Sequence, residues 1–341
     1  MLQRILELPQ GQRLAIFILI FGGGLLVLVL FTLALIRGSE NSTTRTQGVA
    51  LVNTVTVAPF AVLPDDDAYP AAVAVTHDGR VYSGSYQSGV LWVIDTNGTV
   101  TEIPNSRDSI GAVSGLAVAA DGTVYVVDQL DTDPATDGGD VKRLGTDGSI
   151  TTFVSVPDDR GFLIPERAAV DDSGHVYISD RGRDEVWRFN DDGSGGTLWW
   201  SPPVLDGAER YDTAGLAYDA SHESLLVTDG INNTIYRVPV DNPAQGELLY
   251  RHGSRPNSPL FFGLTVAADG SIYVAALSQN GIARLNGDNL DYIAGLFRGA
   301  SDVAYAAPDK LYVTNWDQTS LQRTTEKPFL PFTLDVIRIE S

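Results

Sequence analysis

Residues 115–128 read GLAVAADGTVYVVD, and residues 263–276 read GLTVAADGSIYVAA. Each phrase is a pair of short apolar runs joined by Ala-Asp-Gly. The second run is rich in β-branched and aromatic residues, the composition of a strand. Asp121-Gly122 is a hairpin signal, because a tight primed turn needs positive φ and glycine adopts it at little cost. Looser copies occur at 72–85 (AVAVTHDGRVYSGS), 167–180 (RAAVDDSGHVYISD), 215–229 (GLAYDASHESLLVTD) and 302–315 (DVAYAAPDKLYVTN). The six copies start 43, 52, 48, 48 and 39 residues apart. A strand-built repeat of about 40 to 50 residues marks a radial array of small sheets.

The copies continue alike. A third run has the form apolar–any–Arg–apolar: Val141–Leu144, Val186–Phe189, Ile235–Val238, Ile282–Leu285 and, in the last copy, Leu321-Gln-Arg323-Thr. The first copy has Leu91–Ile94, without the Arg. Polar turns follow at Asn97-Gly98, Asp147-Gly148, Asp192-Gly193, Asp241-Asn242 and Asn286-Gly287. A fourth run closes the unit: Thr99–Ile103, Ile150–Val156, Thr197–Trp200, Glu247–Tyr250 and Leu290–Ala294. Four strands in each of six units predict an all-β fold, a six-bladed β-propeller. Val55–Leu63 and Phe332–Ile339 both read as strands. Either one can complete blade six by pairing the first part of the chain with the last, leaving the other as an edge strand.

The chain changes character once. Residues 14–36, LAIFILIFGGGLLVLVLFTLALI, carry no charge over 23 positions. As a helix they would span roughly 35 Å, enough for a bilayer core. A cleaved signal peptide has an apolar core of only about 7–15 residues and a small-residue cleavage site. Here Arg37-Gly-Ser-Glu follows instead. The expected organisation is a short segment 1–13, one N-terminal transmembrane helix 14–36 acting as an uncleaved signal-anchor, a polar tether 37–50 and the propeller 51–341. Arg4 and Arg13 precede the span, and Arg37 and Arg45 follow it. The terminal amine tips this balance toward an inside N-terminus, which places the propeller outside the cytoplasm.

Residues 1–45 hold four Arg and two Glu, a net of +2, so with the whole chain at −20 the remainder carries −22. An acidic body of that size argues against nucleic acid and against anionic lipid as partners. The chain has no Cys, so a disulfide framework is excluded.

In a propeller the loops leading into each innermost strand and those leaving each second strand share one face. The second strands are expected to end at Ser85, Asp128, Asp180, Asp229, Ala276 and Asn315. The innermost strands begin near Ala71, Ser114, Glu166, Ala214, Phe262 and Asp302. Glu166, Asp302, Asp229 and Asn315 thus become candidate ligands of calcium, a hard cation that takes oxygen donors. Asp128 and Asp180 are pocket candidates, although they recur in step with the strand-three residues Arg143 and Arg188, and read equally as intra-blade ion pairs or turn caps. Tyr86 and Trp316 border the same mouth with Phe261 and Phe262; they wall a pocket or pack blade on blade. His77, His175 and His222 fall in turns on the opposite face. His252, in YRHGSRPN, is the one histidine placed to act as a general base at the mouth, or it is a surface residue. Trp199 and Trp200 lie at the rim, where a partner protein could reach them. No nucleophile elbow, P-loop, dinucleotide glycine pattern or zinc spacing is present.

The phrase G-L-A-V-x-x-D-G-x-[VI]-Y-V-x-D, followed by apolar–x–Arg–apolar, resembles the NHL-repeat propellers and the gluconolactonase–regucalcin group with its strictosidine synthase-like members. The resemblance covers residues 70–325. It implies a divalent metal, usually calcium, held in the channel by a Glu leading into the first blade, two Asn leading into later blades and an Asp closing a second strand. Asp229, in Val227-Thr-Asp-Gly230, matches that Asp. Ala71 stands where the first-blade Glu would be, Asp212-Thr213-Ala214-Gly215 lacks the Asn, and Pro165-Glu166 resembles the missing Pro-Glu but belongs to blade three. Two functions are therefore expected. One is a membrane-anchored extracytoplasmic binding or interaction module, as a subunit of a membrane complex or with a protein or small-molecule ligand at the channel mouth. The alternative is a calcium-dependent lactonase- or esterase-like hydrolase, in which Glu166, Asp229 and Asn315 hold the ion and His252 or a metal-bound water is the base.

Overall fold

Six antiparallel sheets follow one another along the chain, and the innermost strand of each lies against that of the next. The computed structural model describes residues 9, 11–12, 48–133, 136–154, 160–208, 210–253, 257–323 and 325–340. The innermost strands are Pro70–Val75, Val113–Val118, Pro165–Val170, Thr213–Asp219, Phe261–Val266 and Val303–Ala306. The sixth packs against the first, so the ring is closed as a six-bladed β-propeller.

All six copies of the repeated phrase form the inner hairpin of a blade. The turn differs from the primed two-residue turn expected. Gly122 N donates to Ala119 O at 3.0 Å and Ala119 N donates to Thr123 O at 2.9 Å, which encloses three residues. Only Gly122 (φ 89°) is left-handed there. Asp121 Oδ1 accepts from Thr123 N at 2.9 Å, so the Asp caps the loop instead of adopting positive φ.

Blade six corrects the sequence reading. Leu321–Arg323 is no strand; Gln318–Gln322 is a short helix. Thr333–Ile339 is the third strand of that blade, and Val55–Val62 pairs with it as the fourth. Both terminal segments are therefore used, three strands from the end of the chain and one from its beginning. Val49–Ala50, within the segment expected as tether, adds a fifth strand to blade five through Val49 opposite Gly295.

Six buried apolar clusters occupy the described residues, one between each pair of neighbouring blades. The period-2 pattern explains them: alternate side chains point to the two faces of a blade, and both faces meet a neighbour. The second strands are accordingly buried throughout, as in Val124–Asp128 and Val176–Asp180. Each fully buried Val, Leu, Ile or Phe side chain contributes about 1.5–3 kcal/mol.

The chain divides into the units Met1–Arg45 and Thr46–Ser341. The apolar run 14–36 lies outside the described residues. Among the described residues no helix is long and apolar enough to cross a membrane.

Candidate functional site

The start of each innermost strand lies beside the axis, so repeat-equivalent backbone atoms converge there. The six residues preceding the repeated phrase are Ala71, Ser114, Glu166, Ala214, Phe262 and Ser301. Four of their carbonyls accept from one guanidinium, that of Arg167. Its Nη1 donates to Ser114 O and, at 3.0 Å, to Glu166 O. Its Nη2 donates to Ala71 O at 3.4 Å and Ser301 O at 3.3 Å. The same Nη1 bonds Glu166 Oε1 at 2.8 Å, and Nε lies 3.9 Å from Asp302 Oδ2. The guanidinium carbon sits 4.9 Å from the centre of the Phe262 ring, the sixth member of the set being Ala214, whose carbonyl accepts from Ser179. Arg167 is 2% exposed. It separates two openings: a cavity on the hairpin side, with Arg167 and Asp302 in its wall, and a cavity at the mouth on the other side, walled in part by Glu166.

The repeat register explains why this residue is singular. Its equivalents are Ala72, Gly115, Gly215, Gly263 and Asp302. A Cβ on Gly115 would stand 2.5 Å from Glu166 O, and one on Gly215 would stand 2.1 Å from Phe262 O. Where blades crowd the axis the position must be small; blade three alone sends a long cation into the space this leaves. Asp302, from blade six, accepts from Val73 N at 3.1 Å and Val303 N at 3.0 Å. Burial pushes its carboxyl up to about 6, against the pull of Arg167.

The mouth cavity, about 190 Å³, is lined by Tyr86, Gln129, Glu166, Arg181 and Trp316, with Asp131 and Gln318 toward the outside. Its polar groups form one chain. Tyr86 Oη donates to Gln129 Oε1 at 2.8 Å, and Gln129 Nε2 donates to Glu166 Oε2 at 3.0 Å. Arg181 reaches Glu166 Oε2 at 3.3 Å and Asp212 Oδ1 at 2.8 Å. Both Glu166 oxygens are thereby bonded. Burial, reinforced by the Glu166 carboxylate, pushes the Tyr86 phenol up to about 12. Tyr86 and Trp316 meet edge to face at 5.1 Å. The buried Trp316 indole N–H has no partner among the described residues.

The other expected site residues are placed elsewhere. Asp229 binds Asn232 through its backbone N at 2.9 Å and its Nδ2 at 2.7 Å. Asn315 Oδ1 accepts from Arg298 N at 2.9 Å, and its Nδ2 donates to Thr333. Of the four residues expected to share calcium, then, Glu166 and Asp302 flank Arg167, while Asp229 and Asn315 tie their own loops. Asp128 and Asp180 are turn caps: Asp128 Oδ1 accepts from Gly111 N, Ala112 N and Leu130 N, and Asp180 accepts from Leu163 N, Ile164 N and Gly182 N. The ion pairs expected with Arg143 and Arg188 do not involve them, because those Arg stand opposite Tyr125 and Tyr177, nearer the hairpin end of the blade. His252 follows the outer strand of blade four, and its Nδ1 lies 3.0 Å from Tyr250 Oη. Trp199 and Trp200, expected at the rim, pack between blades three and four.

Arg167, Arg181 and Gln129 were missed by sequence reasoning. The signal for Arg167 was present: one cation at a repeat position otherwise Gly, Ala or Asp. Gln129 and Arg181 each follow a strand-two Asp, in the loop that leaves the blade.

No family model matches the chain, and no curated protein does. Solved structures do. A gluconolactonase from Xanthomonas campestris is 13% identical with a TM-score of 0.63, over 87% of this chain and 96% of that one. A streptogramin B lyase is 16% identical with a TM-score of 0.57, over 84% and 98%. A virginiamycin B lyase from Staphylococcus aureus is 14% identical with a TM-score of 0.55, over 83% and 99%. The fold is theirs. At such identities the likeness concerns backbone architecture.

Proposed function

We propose that this propeller is a binding module whose ligand is a small sugar seated in the mouth cavity, and that residues 14–36 hold it at a membrane with the propeller on the extracytoplasmic side. The observation that carries this reading is one cavity wall in which the Tyr86 and Trp316 rings stand beside the polar groups of Gln129, Glu166 and the partly exposed Arg181. Aromatic rings beside amide and charged groups suit a ligand with apolar C–H faces and polar edges. The name of another structural neighbour, an aldose sugar dehydrogenase from Streptomyces coelicolor, points to the same chemical class, and it is 17% identical with a TM-score of 0.56. The acidic body and the uncharged run 14–36 support the membrane-surface placement.

The alternative, a lactonase- or esterase-like hydrolase, draws on the likeness to gluconolactonase. With a side-chain base it needs a carboxylate or imidazole free to take a proton, and with a metal-bound water it needs a cation held at the channel. Glu166 is bonded through both oxygens, and His252 is held by Tyr250 outside the mouth cavity.

The test is calorimetric titration of the full chain in detergent with a panel of mono- and disaccharides and the matching sugar lactones. Saturable binding is expected, weakened at least about 10-fold, or roughly 1.4 kcal/mol, in Arg181→Ala, which removes the partly exposed charged donor from the cavity wall. Turnover of a lactone or aryl ester abolished in Glu166→Gln would overturn the binding-module reading in favour of the hydrolase.

A further inference from the structure

We infer that this chain carries its own axial cation: the Arg167 guanidinium fills the place where the channel oxygens converge, and removing it uncovers a divalent-cation site. The inference concerns the axis and does not rest on the sugar reading of the mouth cavity.

The oxygens come from four blades. Ala71 O belongs to blade one, Ser114 O to blade two, Glu166 O and Oε1 to blade three, and Ser301 O with the more distant Asp302 Oδ2 to blade six. All are hard donors, and two of them are carboxylate. Calcium takes six to eight such oxygens at about 2.3–2.6 Å. As folded, the set does not fit a divalent ion. Its donors are turned to a planar, permanently charged group, and a second cation beside that group would be repelled in a site where Arg167 is 2% exposed. Nor can the other expected ligands complete a site, since Asp229 and Asn315 are engaged by Asn232, Arg298 and Thr333.

The charge account explains why the guanidinium stays. Glu166 and Asp302 are buried carboxylates on either side of it, and a buried charge needs a partner. Arg167 serves both, and Arg181 supplies Glu166 with a second. Taking Arg167 away leaves two carboxylates and a ring of carbonyls around a space the width of a side chain. That arrangement attracts a divalent ion.

The experiment follows thermal unfolding and calcium binding of the full chain in detergent. For the wild type, neither EDTA nor about 2 mM calcium is expected to move the midpoint by more than about 1 °C. Arg167→Ala is expected to melt lower and to recover several degrees with the same calcium, binding one ion per chain at least about 100-fold more tightly than the wild type. The double variant Glu166→Gln/Arg167→Ala should lose that recovery. A calcium-dependent rise in the wild type that Glu166→Gln abolishes would overturn the inference, and so would a folded Arg167→Ala protein indifferent to calcium. Should Arg167→Ala fail to fold even with calcium present, Arg167→Ser is titrated in its place: calcium-dependent recovery that Glu166→Gln removes upholds the inference, and indifference to calcium, or a Glu166-dependent rise in the wild type, defeats it.

Discussion

Single positions at the axis behave differently from their repeat equivalents because six copies of one position meet there. Gly263 shows the constraint, since a Cβ on it would stand 1.9 Å from Asp302 Oδ1. Asp302 itself carries a testable consequence. Its carboxyl is raised from 3.8 to about 6 by burial, so folding favours the protonated form. The contribution of this shift is fully present below pH 3.8 and is lost as pH rises through about 6. Two pKa units correspond to roughly 3 kcal/mol. Asp302→Asn cannot titrate. The stability of the wild type relative to that variant should therefore fall by up to about 3 kcal/mol between about pH 4 and about pH 7. Urea unfolding of both proteins across that interval measures it, and a constant gap would refute it. The identity of Arg167 was readable as an exception within the repeat. Its role was not, because four of its acceptors are backbone carbonyls, and a carbonyl leaves no trace in residue type.

Among the elements, the hairpins were legible and the closure was not. Alternating apolar residues and Asp-Gly punctuation carry local information, which a strand pair joined by a short loop satisfies without reference to the rest of the chain. The fourth strand of blade six lies some 270 residues from its partner in sequence: Val55 pairs with Ile339 and Val62 with Thr333. Only ring geometry selects that pairing. The Arg-containing pattern misled at Leu321–Arg323, where the chain makes a helical turn, because the apolar–any–Arg–apolar form also suits one turn of helix. A chain beginning at Leu63 would lack that closing strand. It would lose the burial of Val55 and Ala61 and the ring contact of Phe60 with Tyr312 at 4.5 Å. That amounts to about 3–5 kcal/mol, and it leaves Thr333–Ile339 as an open sheet edge. Differential scanning calorimetry should show a midpoint at least about 10 °C lower. A midpoint within about 2 °C of the full chain would mean that the ring does not depend on this strand.

For the whole molecule, charge and closure act against each other. The unit Thr46–Ser341 carries a net −22, more than the whole chain's −20, and self-repulsion of like charges opposes compaction. Raising salt from about 10 mM to about 150 mM shortens the screening length from about 30 Å to about 8 Å, so the thermal midpoint should rise. A midpoint that falls would show that attractive pairs such as Arg107 with Asp65 (3.0 Å) outweigh the net charge. The sequence by itself determined the six inner hairpins, the number of blades and the acidic character, because these follow from periodicity, turn chemistry and composition, all of them local or additive. The tertiary structure alone decided which side chains share the axis, which carboxylates are spent on caps and which on a guanidinium, and how the two ends of the chain close the ring. Those outcomes depend on atoms brought together from opposite ends of the polypeptide, and no local pattern encodes a distance.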